Sequence, residues 1–141
     1  MDALTPMRAP AVGEALAAPL LHEVLRALES LARDASHATV IDLRTLPLDE
    51  AARSALRGRL GRGEVEATLD VAGTTRIEES AYAGVWWVCH LAAEGAGAAA
   101  ALEQIVVARV PELLLAHPED VAEAAHRLAG ELAATPCGAA P

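Results

Sequence analysis

The first third of the chain has the hydrophobic spacing of an amphipathic helix. Within residues 14–33, leucine and valine recur at steps of three and four, which places them on one helical stripe. The members of this stripe are Leu16, Leu20, Leu21, Val24, Leu25, Leu28 and Leu31. Pro19 falls early in the pattern, so the firm part of the helix is predicted to begin there, where proline is tolerated in a first turn. Residues 39–43, which begin with the β-branched Thr39, Val40 and Ile41, then predict a short strand.

A second helix is predicted over residues 49–60. Asp49 is a typical N-cap residue, and Gly61 suits the left-handed position beyond the last turn. Ala52, Leu56 and Leu60 recur at helical spacing and predict the buried face of this helix.

Beyond Gly63 the hydrophobic period changes from helical spacing to two. Over residues 64–70 an apolar set alternates with an acidic set, which predicts a strand with one apolar and one acidic face. The apolar set is Val65, Ala67 and Leu69, and the polar set is Glu64, Glu66, Thr68 and Asp70. A turn at Gly73 leads into residues 74–79 and predicts a hairpin. Residues 85–91 and 101–110, joined by a turn at Gly95 and Gly97, complete a four-stranded meander.

The third strand of this meander carries two different apolar faces. Val85, Trp87, Cys89 and Leu91 share one face, and Trp86, Val88 and His90 share the other. Trp87 is the better core candidate. Trp86 has two interpretations that the pattern leaves open: it is an exposed binding anchor if helices cover only one side of the sheet, or it is buried under a second layer, because buried strands are apolar on both faces.

These elements predict an α+β domain. A short helical turn over residues 111–115 precedes a last helix at about 118–133, where Pro118 and two acidic residues suit a helix start. The predicted architecture is a mainly antiparallel sheet, made of the meander and one earlier strand, with helices packed mostly on one face. Residues 13–134 are expected to form a single domain, with a flexible leader over 1–12 and a flexible tail over 135–141.

Composition and charge exclude several classes of function. Eleven arginines and no lysine stand against 20 acidic residues, giving a net charge of −9. An acidic chain of this kind is a poor match for nucleic acid or anionic lipid. The longest stretch without a formally charged residue, 80–93, is too short to span a membrane. The first residues lack the cationic start and apolar run of a secretory signal, so a cytoplasmic location is expected.

The candidate chemistry is weak. Gly58, Gly61 and Gly63 lie at the end of a helix and not before the start of one, so they predict a helix end and not a phosphate-binding loop. Five histidines and two cysteines lack the spacings of a metal site, so no metal and no cofactor are expected. Cys89 lies among apolar residues, as a buried inert thiol does, and no catalytic constellation is found.

Four segments together resemble a known family. They are IDLRTLPL (41–48), LGRGEVEATLD (60–70), IEESAYAGVWWVCHL (77–91) and PELLLAHPED (111–120). In this order and spacing they are similar to the C-terminal conserved region of the HupH/HyaF/HoxQ hydrogenase expression proteins. Relatives are typically longer, with a further N-terminal region that this sequence does not show. A single-domain form is then expected to have a narrower role, or to need a second protein or a second copy of itself as a homo-oligomer.

The resemblance implies a non-enzymatic accessory in the maturation of a [NiFe] hydrogenase. The implied role is a chaperone that holds the iron–sulfur small subunit before assembly and export, or that binds other hydrogenase accessory proteins. We expect the aromatic cluster, which consists of Tyr82, Trp86 and Trp87, and its acidic neighbours to contact the partner. The predicted partner-binding residues are Tyr82, Trp86, Val88, His90, Glu64, Glu66 and Asp70. An acidic rim suits a basic partner segment such as a twin-arginine export signal. The alternative is a small enzyme or thiol redox carrier that uses Cys89.

Overall fold

A computed structural model describes residues 12–93 and 100–134 of the chain. The expected leader, the expected tail and the turn at Gly95 and Gly97 lie outside these residues. The chain divides into two compact units at Arg109 and Val110, which are described separately. The single-domain expectation therefore stays a prediction. The helices and strands are α1 (Val12–Arg33), β1 (Thr39–Asp42), α2 (Glu50–Leu60), β2 (Glu66–Asp70), β3 (Gly73–Glu79), β4 (Val85–Ala92), β5 (Ala100–Val107) and α3 (Pro118–Ala134).

The five strands form one antiparallel sheet in the order β1-β5-β4-β3-β2. Strands β2 to β5 are the predicted meander, and β1 pairs with β5 at the far edge. β5 ends three residues earlier than predicted, at Val107, and the Ala108 N–H still donates to the carbonyl of Gly84, 2.9 Å away, directly after the last strand pair. The predicted α+β class, with an antiparallel sheet and one earlier strand, is confirmed.

Helices α1 and α2 supply the apolar cover for one face of the sheet. The core cluster joins their buried residues to the β4 face that carries Val85 and Trp87. The remaining members of the cluster are Ala17, Leu20, Val24, Ala27, Ile41, Leu43, Leu56, Leu60, Ile105 and Val107. The sequence pattern therefore assigned the two faces of β4 correctly. It placed the start of α1 too late, because α1 begins at Val12 and continues through Pro19, whose side chain is exposed.

Local signals fix the ends of α2. Asp49 is the N-cap, and its carboxylate accepts a hydrogen bond of 2.8 Å from the Ala52 N–H. Gly61 ends the helix with φ +67°, a conformation that glycine adopts without strain. Both positions agree with the prediction. They matter for the site, because α2 and the residues after Gly61 lie against one end of the sheet.

The second unit contains a short 3₁₀ helix (Glu112–Leu114) and α3. α3 begins at Pro118 with Glu119 and Asp120 in its first turn, which suits the positive end of the helix dipole. No residue of α3 is buried. Among the described residues, no helix has the length and apolar character needed to cross a bilayer.

Replacement of Leu56 by alanine tests the α2 contribution to the core. Leu56 is fully buried in the cluster, so Leu56→Ala is expected to lower the free energy of unfolding by about 2–5 kcal/mol. Chemical denaturation monitored by circular dichroism measures the change. The control is Val71→Ala, at an exposed position in the β2–β3 turn, which should change stability by less than about 0.5 kcal/mol. Equal effects of the two substitutions would contradict this packing.

Candidate functional site

Both tryptophans are buried. Trp87 lies in the core cluster with 4% of its surface exposed, and Trp86, on the opposite face of β4, is 5% exposed. The Trp86 indole N–H donates to the carbonyl of Ala108 over 3.0 Å, which satisfies its polar group. Val88, on the same face, is fully buried. The interpretation of Trp86 as an exposed anchor is therefore wrong, and the alternative with both tryptophans buried is correct.

Tyr82 is the exposed member of the aromatic cluster. It lies in the β3–β4 turn with 54% of its surface accessible. Ser80 holds this turn in two ways: its hydroxyl donates to the Tyr82 carbonyl over 3.0 Å and accepts from the Tyr82 N–H over 3.1 Å. The neighbouring Ala81 N–H donates to the carbonyl of Leu60, 2.9 Å away, at the end of α2. The turn that presents Tyr82 is thus fixed to the core rather than free.

Two of the predicted acidic residues lie at the same end of the sheet as Tyr82. Glu64 is in the loop before β2 and Glu66 begins that strand, and both are exposed. Backbone hydrogen bonds of 2.8 Å from Gly63 to Glu79 and of 2.9 Å from Glu79 to Val65 bind this loop to the end of β3. We call the surface formed by Tyr82, Glu64 and Glu66 the Tyr82 end.

The remaining predicted residues, Asp70 and His90, lie at the opposite end of the sheet. Asp70 is the last residue of β2, and His90 pairs with Thr75 near the start of β3. The His90 Nδ1 lies 2.7 Å from the Thr75 hydroxyl. The seven predicted residues therefore do not form one surface: three lie at the Tyr82 end, two lie at the other end, and Trp86 and Val88 are buried.

A layer of paired charges, which the hydrophobic pattern did not predict, lies between α2 and the sheet. Its members, called here the charged layer, are Arg53, Arg57, Glu66, Arg76, Glu78 and Glu103. Arg57 pairs with the buried Glu78, and Arg53 pairs with the buried Glu103. Arg76 and Glu78 lie on the face of β3 opposite to the buried Ile77. That face is the one toward α2, so Glu78 is buried beneath the arginines instead of solvated.

Arg57 joins the charged layer to the core. Its guanidinium carbon lies 4.8 Å from the centroid of the Trp87 ring, within cation–π range. Arg76 extends the layer toward the edge strand with nitrogen–oxygen distances of 3.0 Å to Glu66 and 3.4 Å to Glu78. The hydrogen bond to Glu66, together with the charge of Glu78, raises the pKa of Arg76. Glu66 is therefore a paired carboxylate, and Glu64 is the less constrained acidic group of the Tyr82 end.

Cys89 lies under this layer and is half-buried. In the sheet register it stands between Arg76 on β3 and Glu103 on β5. Burial, followed by the negative charge of Glu103, raises the pKa of the Cys89 thiol. A nucleophilic or redox-active cysteine needs the opposite shift, since the thiolate is the reactive form. The environment of Cys89 does not favour the thiol alternative.

Two concavities lie near these residues. A cavity of about 10 Å³ beside Trp87 and Glu78 has room for one water molecule at most. A larger groove of about 220 Å³ lies on α1 and α2 beside Tyr82. Its lining, called here the α1–α2 groove, consists of Leu21, Val24, Leu25, Leu28, Arg59, Leu60 and Tyr82. Across residues 12–93 and 100–134, no three His, Cys, Asp or Glu side chains converge as metal ligands.

The Arg57→Gln substitution tests the charged layer. It leaves the buried Glu78 carboxylate with Arg76 as its remaining ion-pair partner and removes the cation from the Trp87 ring. The expected loss in the free energy of unfolding is about 1–3 kcal/mol, measured by chemical denaturation. The control is Arg62→Gln at an exposed loop position, which should have almost no effect. Equal stability of Arg57→Gln and the wild type would contradict a stabilising layer.

Alkylation kinetics test the state of Cys89. In a Cys137→Ser variant, Cys89 is the single thiol, and its raised pKa reduces the thiolate fraction at mildly alkaline pH. Iodoacetamide is therefore expected to react several-fold more slowly with the folded protein than with the same variant in denaturant. The ratio of the unfolded-state rate to the folded-state rate should fall as the pH rises through the pKa of the folded-state thiol. A folded-state rate above the unfolded rate would instead support a reactive cysteine.

Comparison with known proteins connects this fold to one family. Residues 15–135 match the family described as HupH hydrogenase expression protein, C-terminal conserved region. The structure is similar to that of the hydrogenase expression protein HupH from Thiobacillus denitrificans ATCC 25259, with a TM-score of 0.77 and 38% sequence identity. The alignment covers 86% of this chain and 98% of that one. No curated protein matches the sequence of this chain. The chain belongs to the HupH hydrogenase expression protein family.

Proposed function

We propose that this protein is a cytoplasmic accessory in the maturation of a [NiFe] hydrogenase. It acts as a protein-binding chaperone for the iron–sulfur small subunit before assembly and export. Family membership over residues 15–135 carries this proposal, because it assigns the chain to the hydrogenase expression proteins. The 38% identity to the Thiobacillus denitrificans protein supports the same role.

The side chains of the described residues support binding rather than catalysis. Cys89 is half-buried with a raised pKa, which disfavours nucleophilic chemistry. The buried carboxylates Glu78 and Glu103 are each held by an arginine, so they act as structural groups. The groove on α1 and α2 is lined mainly by leucine, which suits an apolar side chain of a protein partner better than a polar substrate.

The Tyr82 end is the best candidate for contact with the partner. Tyrosine is among the residue types that most often dominate binding energy, and Tyr82 is both exposed and held in a fixed turn. A rigid anchor loses little conformational freedom on binding, so more of its contact energy contributes to affinity. Trp86 and Val88 have a supporting role in this proposal: they pack the strand from which the Tyr82 turn extends.

The charge of the protein favours a basic partner segment. The chain carries a net charge of −9, and Glu64 lies exposed beside the turn of Tyr82. A precursor with a twin-arginine export signal would offer the complementary charge. Electrostatic attraction of this kind acts mainly on the association rate and weakens with added salt. The proposal therefore requires that complex formation be slower at high ionic strength.

A capture experiment tests the role and the surface together. Tagged wild-type protein is expected to retain a hydrogenase small-subunit precursor from the native host, identified by mass spectrometry. Tyr82→Ala should reduce retention by about tenfold or more, since a central tyrosine anchor contributes upwards of about 1.4 kcal/mol. Val71→Ala is the control, because Val71 is an exposed apolar residue in the β2–β3 turn, at the other end of the sheet. It should bind like the wild type.

The outcomes of this experiment distinguish the chaperone role from the choice of the Tyr82 end as the binding surface. Retention of the precursor by all three proteins would keep the chaperone role and exclude the Tyr82 end. Failure of every protein to retain a hydrogenase subunit would contradict the role itself. A Glu64→Arg variant extends the test: it should slow association at low salt and match the wild type at high salt.

A further inference from the structure

The outer side of β2 is an open edge of the sheet. In the part of the chain that the structure describes, β2 pairs with β3 on one side and with no strand on the other. The Glu79 N–H donates over 2.9 Å to the carbonyl of Val65, directly before β2. Hydrogen-bonded and non-hydrogen-bonded pairs alternate along an antiparallel ladder, so every second residue after Val65 bonds to β3. The residues between these direct their backbone N–H and carbonyl groups outward. They are called here the β2 edge and consist of Glu66, Thr68 and Asp70.

Unpaired strand edges are templates for pairing with another extended chain. The three residues of the β2 edge are exposed, and the five-residue strand presents about 17 Å of backbone. β1, at the other edge of the sheet, is one residue shorter, and its only acidic residue, Asp42, uses its carboxylate to cap the following 3₁₀ turn. β2 is therefore the edge that combines unpaired backbone with available negative charge.

The two faces of β2 differ in chemistry. The side chains of Glu66 and Asp70 lie on the face of the charged layer, with Thr68 between them. Ala67 and Leu69 are half-buried on the other face. A strand added to this edge would alternate its side chains in the same way. One of its faces would meet two carboxylates, and the other would meet apolar side chains.

The two carboxylates favour a basic occupant. Arg76 donates to Oε1 of Glu66 over 3.0 Å, and the Thr74 hydroxyl donates to Oδ1 of Asp70 over 3.2 Å. These contacts engage one oxygen of each exposed carboxylate, so each group has capacity to accept from a further cation. Antiparallel pairing of two copies centred on Thr68 would instead set Glu66 of one copy directly opposite Asp70 of the other, and like charges in that position are destabilising.

We propose that the β2 edge binds an extended basic segment of the partner protein as an added antiparallel strand. The segment has lysine or arginine at two positions four residues apart, opposite Glu66 and Asp70. It has apolar residues at the two positions that face Ala67 and Leu69. Antiparallel pairing continues the pattern of the whole sheet and is the more stable arrangement per residue. This inference rests on the proposed function, because it gives the binding mode of the basic segment expected beside the Tyr82 end.

Titration of the purified protein with synthetic peptides, followed by NMR, tests the added strand. A peptide with the order arginine, valine, threonine, valine, arginine, blocked at both ends, is expected to bind with a dissociation constant below about 1 mM and to shift the amide signals of the β2 edge. A peptide of the same composition with adjacent arginines places them on opposite faces of a strand, so it should bind several-fold more weakly. Absence of binding by the first peptide, or equal binding by both, would overturn the proposal.

Backbone N-methylation of the peptide distinguishes a paired strand from attraction between charges. In the proposed register the N–H of the central threonine donates to the carbonyl of Thr68, and the N–H groups of the valines point away from β2. N-methylation of the threonine is therefore expected to weaken binding by about tenfold or more. N-methylation of a valine, which leaves the charge and composition matched, should change binding by less than about twofold. Equal effects of the two modifications would contradict the added strand.

The Thr68→Pro variant tests the same contact from the side of the protein. Proline at this position removes an outward-facing N–H and leaves the hydrogen bonds to β3 in place, as proline on an edge strand does. Peptide binding should weaken by about tenfold or more, with the circular dichroism spectrum unchanged. Thr68→Val is the matched control, because it retains the N–H and loses only the hydroxyl, and it should bind like the wild type. Should Thr68→Pro fail to fold, the methylated peptides decide the question with the wild type.

Capture of a hydrogenase precursor with the same variants distinguishes this proposal from the proposed function. Capture by Thr68→Pro at the wild-type level would overturn the added strand and keep the chaperone role. Loss of capture by Thr68→Pro and not by Thr68→Val would support the added strand. Failure of the wild type to capture a precursor, with peptide binding intact, would contradict the role and still support the β2 edge as a peptide site.

Discussion

The burial of Trp87 between the sheet and α2 is the interaction on which the described site depends. The Arg57 guanidinium lies over the indole ring and also pairs with the buried Glu78 of β3. This one side chain therefore connects the apolar core to the charged layer. It fixes α2 against the sheet, and α2 in turn fixes Leu60 and Arg59 in the groove. The hydrogen bond from Ala81 to Leu60 then sets the turn that presents Tyr82.

The local parts of this arrangement could be predicted from the sequence. Asp49 and Gly61 set the ends of α2, and strict alternation assigned Trp87 to the core face of β4. These signals involve neighbours along the chain. The pairing of Arg57 with Glu78 could not be predicted, because it joins residues 21 positions apart on a helix and a strand. Only the tertiary structure shows that α2 covers the face of β3 that carries Glu78.

The burial of Trp86 has a similar explanation. A strand that is apolar on both sides is compatible with two buried faces or with one exposed binding face, and periodicity does not distinguish them. Of the two aromatic residues predicted to contact the partner, the structure buries Trp86 and exposes Tyr82. It also separates Asp70 and His90 from the acidic residues near Tyr82.

Hydrogen exchange of this protein with and without a purified hydrogenase small-subunit precursor tests the Tyr82 end directly. We expect slower exchange on complex formation in two segments, residues 60–66 and 80–84, because these carry the Tyr82 end. Exchange in the β2–β3 turn, at the other end of the sheet, should not change. Protection confined to residues 70–75 and 90–92, at the other end of the sheet, would contradict the assigned surface. Unchanged exchange throughout the chain at saturating precursor would contradict the chaperone role.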